Sequence, residues 1–115
     1  MDPWRYLALA ASCATVGSED RRKFCLGAVG VRSDGAVVKA RNGSTRERCP
    51  AGHAETRLSR KLDVGSTVFV ARILRSGGLA LAAPCVTCRR ALRSRGVRHV
   101  YYTVDSATFG RMVLE

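Results

Sequence analysis

The apolar positions along the chain repeat with two different periods. Over "PWRYLALAASCATVGS" the residues Tyr6, Leu7, Ala10, Cys13 and Ala14 recur at helical spacing. Asp2 is placed to cap that helix, and Pro3 suits its first position. "DRRKFC" then reads as a basic loop. In "LGAVGVRSDGAVVKARNG" a strand from Leu26 to Val31, a turn at "SDG" and a return strand from Ala36 to Ala40 make a hairpin. "STRERCPAG" is a polar loop, and "HAETRLSRKLD" places Leu58 and Leu62 four apart, as a short helix would. "STVFVARIL" is a strand of β-branched and aromatic residues, and "RSGGLALAA" a glycine-bearing loop. "PCVTCRRALRSRG" predicts a helix over 85–95, opened by Pro84 and closed by Gly96, and "VRHVYYTV" a further strand.

This order, α-β-β-α-β-α-β without internal repeats, predicts an α/β fold: a mixed sheet of four to five strands with helices on both faces. The strands at 67–74 and 97–104, joined through a helix, are expected to be parallel neighbours with a right-handed crossover. The tail "DSATFGRMVLE" constrains a fifth strand. Only about half a dozen residues would join it to its predecessor, whereas a parallel connection needs a dozen or more. The last two strands are therefore expected to be antiparallel. A chain of 115 residues suits a single domain spanning 1–115.

Composition changes the picture in two ways. The content is 46% hydrophobic and 25% charged, as in ordinary globular proteins, and no apolar run reaches the roughly 18 residues of a membrane span. The N-terminus lacks the positive start of a secretory signal, so a cytoplasmic protein without membrane attachment is expected. The charge is unusual: 20 Lys+Arg against 9 Asp+Glu give +11, which favours anionic partners such as a phosphorylated small substrate or single-stranded nucleic acid. The five cysteines, in the absence of a secretory signal, read as metal ligands or buried thiols rather than disulfides. Cys13 and Cys25 are expected in the core.

Cys85 and Cys88 stand three apart at the start of a predicted helix, where backbone N–H groups and the helix dipole favour thiolates. His53 is the best candidate for a third metal ligand. Three protein ligands leave a fourth position for water, the layout of a catalytic zinc site, and zinc lowers the pKa of that water to near neutrality. Glu55, close to the metal but not ligating, is suited to carry protons. The competing arrangement, Cys49 with His53, Cys85 and Cys88, would make a closed structural zinc clip, but it leaves Glu55 without a role.

"HAE" and "PCVTC" together match H-x-E…P-C-x-x-C, the signature of zinc nucleobase deaminases. The chain resembles that superfamily, which includes cytidine, deoxycytidylate and tRNA adenosine deaminases, over nearly its whole length. The resemblance implies a three-layer cytidine deaminase-like fold. It implies one zinc per chain with a bound water or hydroxide, held by His53, Cys85 and Cys88, with Glu55 as proton shuttle. Ala54 sits where the family holds the base carbonyl by a backbone N–H, and Asn42 where an asparagine contacts the sugar. Asn42 also precedes Gly43, a common turn dipeptide. Where many nucleotide deaminases carry Glu-Pro-Cys, this chain has Ala83-Pro84-Cys85, which puts Ala83 at the substrate's side. A histidine ligand resembles the deoxycytidylate and tRNA branches, whereas the short link after Tyr102 resembles the cytidine deaminase branch.

Around the expected pocket, Arg46 and Arg48 on one loop and Arg21, Arg22 and Lys23 on another could grip a phosphate or be solvated loop charge. Tyr101 and Tyr102 face opposite sides of a strand, so at most one lines the pocket; Tyr102 and Asp105 lie where relatives choose their substrate. His99 reads as a surface histidine. The function expected is hydrolytic deamination of cytosine in a cytidine or deoxycytidine nucleotide. The alternatives are cytosine or adenine in single-stranded DNA or RNA, and a non-catalytic zinc module that binds nucleic acid. Superfamily members commonly assemble, so a homo-oligomer is expected.

Overall fold

The computed structural model describes residues 2–15, 24–41, 54–74 and 76–114. Its elements, in chain order, are α1 (Pro3–Thr15), β1 (Phe24–Val31), β2 (Val37–Arg41), α2 (Ala54–Ser59), β3 (Thr67–Leu74), β4 (Leu79–Ala80), α3 (Val86–Ser94), β5 (His99–Thr103) and β6 (Phe109–Val113). The strands form one sheet in the order β2-β1-β3-β5-β6. The β1–β2, β1–β3 and β5–β6 pairs are antiparallel, while β3 and β5 run parallel. The expected strand directions hold: β3 and β5, joined through α3, are parallel neighbours, and the tail strand runs antiparallel to β5.

Among the described residues the sheet has six strands rather than four or five. The extra one is β4, which lies in the stretch expected to be wholly loop and pairs with Arg72 and Ile73 at the end of β3. Gly77, at φ +89°, turns the chain there, and the Leu74 N–H donates to the Gly78 carbonyl at 2.8 Å. β1 occupies one side of β3 over its whole length, so β4 extends the other side beyond the reach of β5.

Alternation along the strands sorts two cores. Ala28, Val68, Val70 and Val100 face α2 and α3, meeting Ala54, Leu58 and Leu92. Val29, Phe69 and Ala71 face α1, meeting Leu7 and Ala10. The α1 face is also aromatic: Tyr6 stacks on Phe69 at 4.8 Å, Phe69 on Tyr101 at 5.2 Å, and Trp4 meets Phe109 edge-on at 5.4 Å. The α1 helix lies close enough on β1 that a side chain at Gly27 would collide with the Ala10 carbonyl. Its start is as expected, with the Trp4 N–H donating to Asp2 Oδ1 at 3.1 Å.

Two expectations need correction. The α3 helix begins at Val86, with Cys85 in extended conformation as its N-cap residue, so Pro84 precedes the helix instead of opening it. Gly96 does close it: at φ +84° it allows Val97 N–H to reach Leu92 O and Gly96 N–H to reach Arg93 O, while Val97 and Leu92 pack together in the core. Cys13 is half-buried rather than in the core, because α1 there runs past the edge strand; its thiol donates to the Ala40 carbonyl at 3.5 Å. The Cys25 side chain lies outside the described residues.

Candidate active site

Parallel strands β3 and β5 open at their carboxyl ends, where α/β sheets bind ligands. The segment leaving β4 delivers Cys85 and Cys88 there. Thr103, fully buried at the end of β5, fixes that segment. Its hydroxyl donates to Ala80 O at 2.7 Å and accepts from the Arg72 N–H at 3.3 Å, and its carbonyl accepts from the Ala82 N–H at 2.9 Å. Three hydrogen bonds from one residue thus tie β3, β4 and β5 just upstream of the thiol pair.

The α2 helix supplies the facing side chains. Ala54 and Leu58 turn to the sheet, and Glu55 is almost wholly buried, 4% exposed. Cys88 is fully buried in the first turn of α3, whereas Cys85 is exposed. The two helices bring Thr56 Oγ1 within 3.4 Å of Cys88 Sγ. Burial, then the neighbouring Glu55 carboxylate, pushes the Cys88 thiol up to about 12; the Thr56 hydroxyl acts in the opposite direction, and Cys85 lies within hydrogen-bonding reach of the same sulfur. Glu55, Thr56, Cys85 and Cys88 therefore share one site although about 30 residues separate the two pairs along the chain.

This donor set suits a soft-to-borderline divalent cation. A buried thiol beside a carboxylate keeps its proton, and a dication reverses that balance by favouring thiolate and carboxylate together. Two sulfurs three residues apart at a helix start fit zinc. Among the described residues no three His, Cys, Asp or Glu side chains form a metal-binding group by themselves. His53, the expected third ligand, lies outside the described residues, as do Asn42, Arg46, Arg48, Cys49, Arg21, Arg22 and Lys23.

The remaining expected substrate residues are all described. Ala54 is fully buried at the first position of α2, and Ala83 is exposed on the segment before α3. Tyr101 and Tyr102 do face opposite sides of the sheet, Tyr101 in the α1 core and Tyr102 toward α2 and α3. The Tyr102 ring lies over Gly110 of β6, filling the space that a side chain there would take. Asp105 is exposed in the β5–β6 turn, where its carboxylate accepts from the Ala107 N–H at 2.8 Å. His99 is exposed, as expected. Thr56 and Thr103 are the two site residues that sequence reasoning missed. Thr56 had one signal, its place next to Glu55 on a short helix; Thr103 had none.

The family model for the cytidine and deoxycytidylate deaminase zinc-binding region matches residues 3–104. The chain belongs to the cytidine and deoxycytidylate deaminase family, and it is a zinc-type deaminase acting on cytosine or cytidine. Among solved structures it is similar to cytidine deaminase from Mycobacterium leprae, with a TM-score of 0.61 at 16% identity, covering 97% of this chain and 94% of that one. Cytidine deaminase from Mycobacterium tuberculosis gives 0.58 at 19% identity, covering 90% and 85%. At such identities the likeness bears on the fold alone. No curated protein matches the sequence. Among the described residues no helix is long and apolar enough to cross a membrane.

Proposed function

We propose that the chain hydrolytically deaminates the cytosine of a free cytidine or deoxycytidine compound, as the nucleoside or its 5′-monophosphate. The observation that carries this reading is the antiparallel β5–β6 pair, which goes with the short link after Tyr102 that resembles the cytidine deaminase branch. The similar solved structures, described as cytidine deaminases, point the same way. The monophosphate is retained because of the basic loop residues, Arg48 among them.

In this reading His53, Cys85 and Cys88 hold one zinc ion, which when bound supplies a Lewis acid that brings a water molecule's pKa to near neutrality. The rest falls to the chain's own side chains. Glu55, withdrawn from bulk solvent, takes a proton from the attacking water and delivers it to ring N3 as oxygen bonds to C4. It then moves the hydroxyl proton to the 4-amino group, the C4–N bond breaks, and ammonia leaves as the C4 carbonyl forms. One water is consumed and Glu55 ends as it began. The Ala54 N–H holds the base carbonyl, Asn42 the sugar, and Ala83, Tyr102 and Asp105 border the base.

The test is a substrate panel: zinc-loaded protein with cytidine, deoxycytidine, their monophosphates and a single-stranded oligonucleotide containing cytosine, with uracil formation followed by absorbance and chromatography. Turnover of a free compound is expected. Turnover confined to the oligonucleotide would replace this reading with its polynucleotide alternative.

A further inference from the structure

A second feature stands apart from the thiol site. A cleft of about 620 Å³ runs along β2 at the edge of the sheet, with α1 as one wall and α2 and its following turn as the other. Five cationic side chains line it: Lys39 and Arg41 from β2, and Arg57, Arg60 and Lys61 from α2 and the turn. All five are exposed, and among the described residues no acidic side chain lines the cleft. Glu55 and the two thiols are not part of it. Residues two apart on a helix diverge by about 200°, so Arg57 faces the cleft while Glu55 is buried on the other side of α2.

The cations are partly fixed in place. Lys61 Nζ donates to the Lys39 carbonyl at 2.6 Å, and an Arg57 guanidinium N–H donates to the Arg41 carbonyl at 3.3 Å. Each bond retains the positive charge and restrains a long side chain along the strand. Lys39 and Arg41 are themselves about 7 Å apart along β2, roughly the length of one extended nucleotide.

We propose that this β2 cleft is a track for single-stranded nucleic acid, held through its phosphates by these five cations. The occupant follows from the shape and the chemistry. The donors come from separate stretches of chain and spread along a strand, which suits a string of phosphates better than a single one. Among the described residues no aromatic side chain lines the cleft, so no stacking platform for the bases is found there, and binding is electrostatic and indifferent to sequence. The track does not depend on which free compound the thiol site deaminates.

The probe is a labelled oligothymidylate of about 12 nucleotides, which offers no cytosine to the deamination site. Its anisotropy is titrated with the zinc-loaded full chain between about 50 and 200 mM salt. Each neutralised phosphate contributes about −0.7 to the slope of log K against log salt, so five cations give about −3.5. The Lys39→Glu, Arg60→Glu pair weakens binding by about tenfold or more and makes the slope shallower; the milder Lys39→Gln, Arg60→Gln pair shifts both in the same direction. An Arg90→Glu, Arg98→Glu pair makes the same charge change on exposed positions elsewhere and leaves binding within about twofold. Failure to bind at the lowest salt overturns the track. So does an equal loss with the Arg90, Arg98 pair, which assigns binding to net charge. Competition by inorganic phosphate as effective as by unlabelled strand, at equal phosphate concentration, assigns the cleft to a single phosphate and overturns it too.

Discussion

Glu55 owes its proposed chemistry to the shortness of α2. A six-residue helix that buries Ala54 and Leu58 against the sheet turns the next position, Glu55, toward α3 and Cys88. Replacing Glu55 by Gln keeps the shape and removes the proton acceptor. Turnover is expected to fall by about 10²- to 10⁴-fold, with zinc content unchanged by metal analysis; a variant of undiminished kcat would remove Glu55 from the mechanism. Glu55 and the two cysteines were legible because spacing in "HAE" and "PCVTC" is a local property. Thr56 against Cys88 was not, since their meeting depends on how two helices dock. Tyr102 and Asp105 show the converse. Their positions suggested substrate contact, and each also has a packing or turn role that no local pattern announces: one ring covering Gly110, one carboxylate holding the Ala107 N–H.

Among the elements, the hairpin of β1 and β2 and the strands β3 and β5 were legible because β-branched and aromatic runs bounded by glycine and polar turns encode them directly. The direction of β6 followed from the length of its link. The two-residue β4 carries no period to read, and it exists because Gly77 turns the chain and Thr103 catches the Ala80 carbonyl. The turns are tied together by Asp63, which follows α2. The Ser33 hydroxyl, then the Ser66 hydroxyl and the Ser33 N–H, hold its carboxyl well below the usual carboxylate range, with Arg32 adding to the effect. Because the folded value is depressed, the stabilisation is fully present above the unfolded pKa of about 3.9 and is lost as pH falls from there toward the folded value. Thermal melts from neutral pH to about pH 2 should show that acid limb, and Asp63→Asn should flatten it while lowering the neutral melting temperature. An unchanged acid limb in the variant would show that the β1–β2 turn is held by other contacts.

For the molecule as a whole, the sheet keeps two tasks apart. Its α1 face is closed by aromatic stacking, while its other face carries both helices of the thiol site. That separation was legible from alternation along the strands. What the sheet gathers at its edge was not: Lys39 and Arg41 are far in sequence from Arg57, Arg60 and Lys61, and the +11 balance alone assigned them to no place. A zinc ion held as proposed, by His53 before α2 and by the two cysteines at α3, would bind only the folded chain and so add to stability by mass action. Chelation is expected to lower the melting temperature, and restored zinc to return it. Equal melting with and without chelator would separate the metal from the fold.

The two bonds that pin the cleft cations also bear on how the protein behaves when concentrated. Among the described residues β2 ends the sheet on one side, and an exposed edge strand is a template on which a second chain can add. Here the Lys39 and Arg41 carbonyls are already occupied by Lys61 and Arg57. An incoming strand would have to displace both and would then lie against five positive charges. The edge thus guards against strand-by-strand aggregation, and a polyanion that drew those cations away from the carbonyls would weaken the guard.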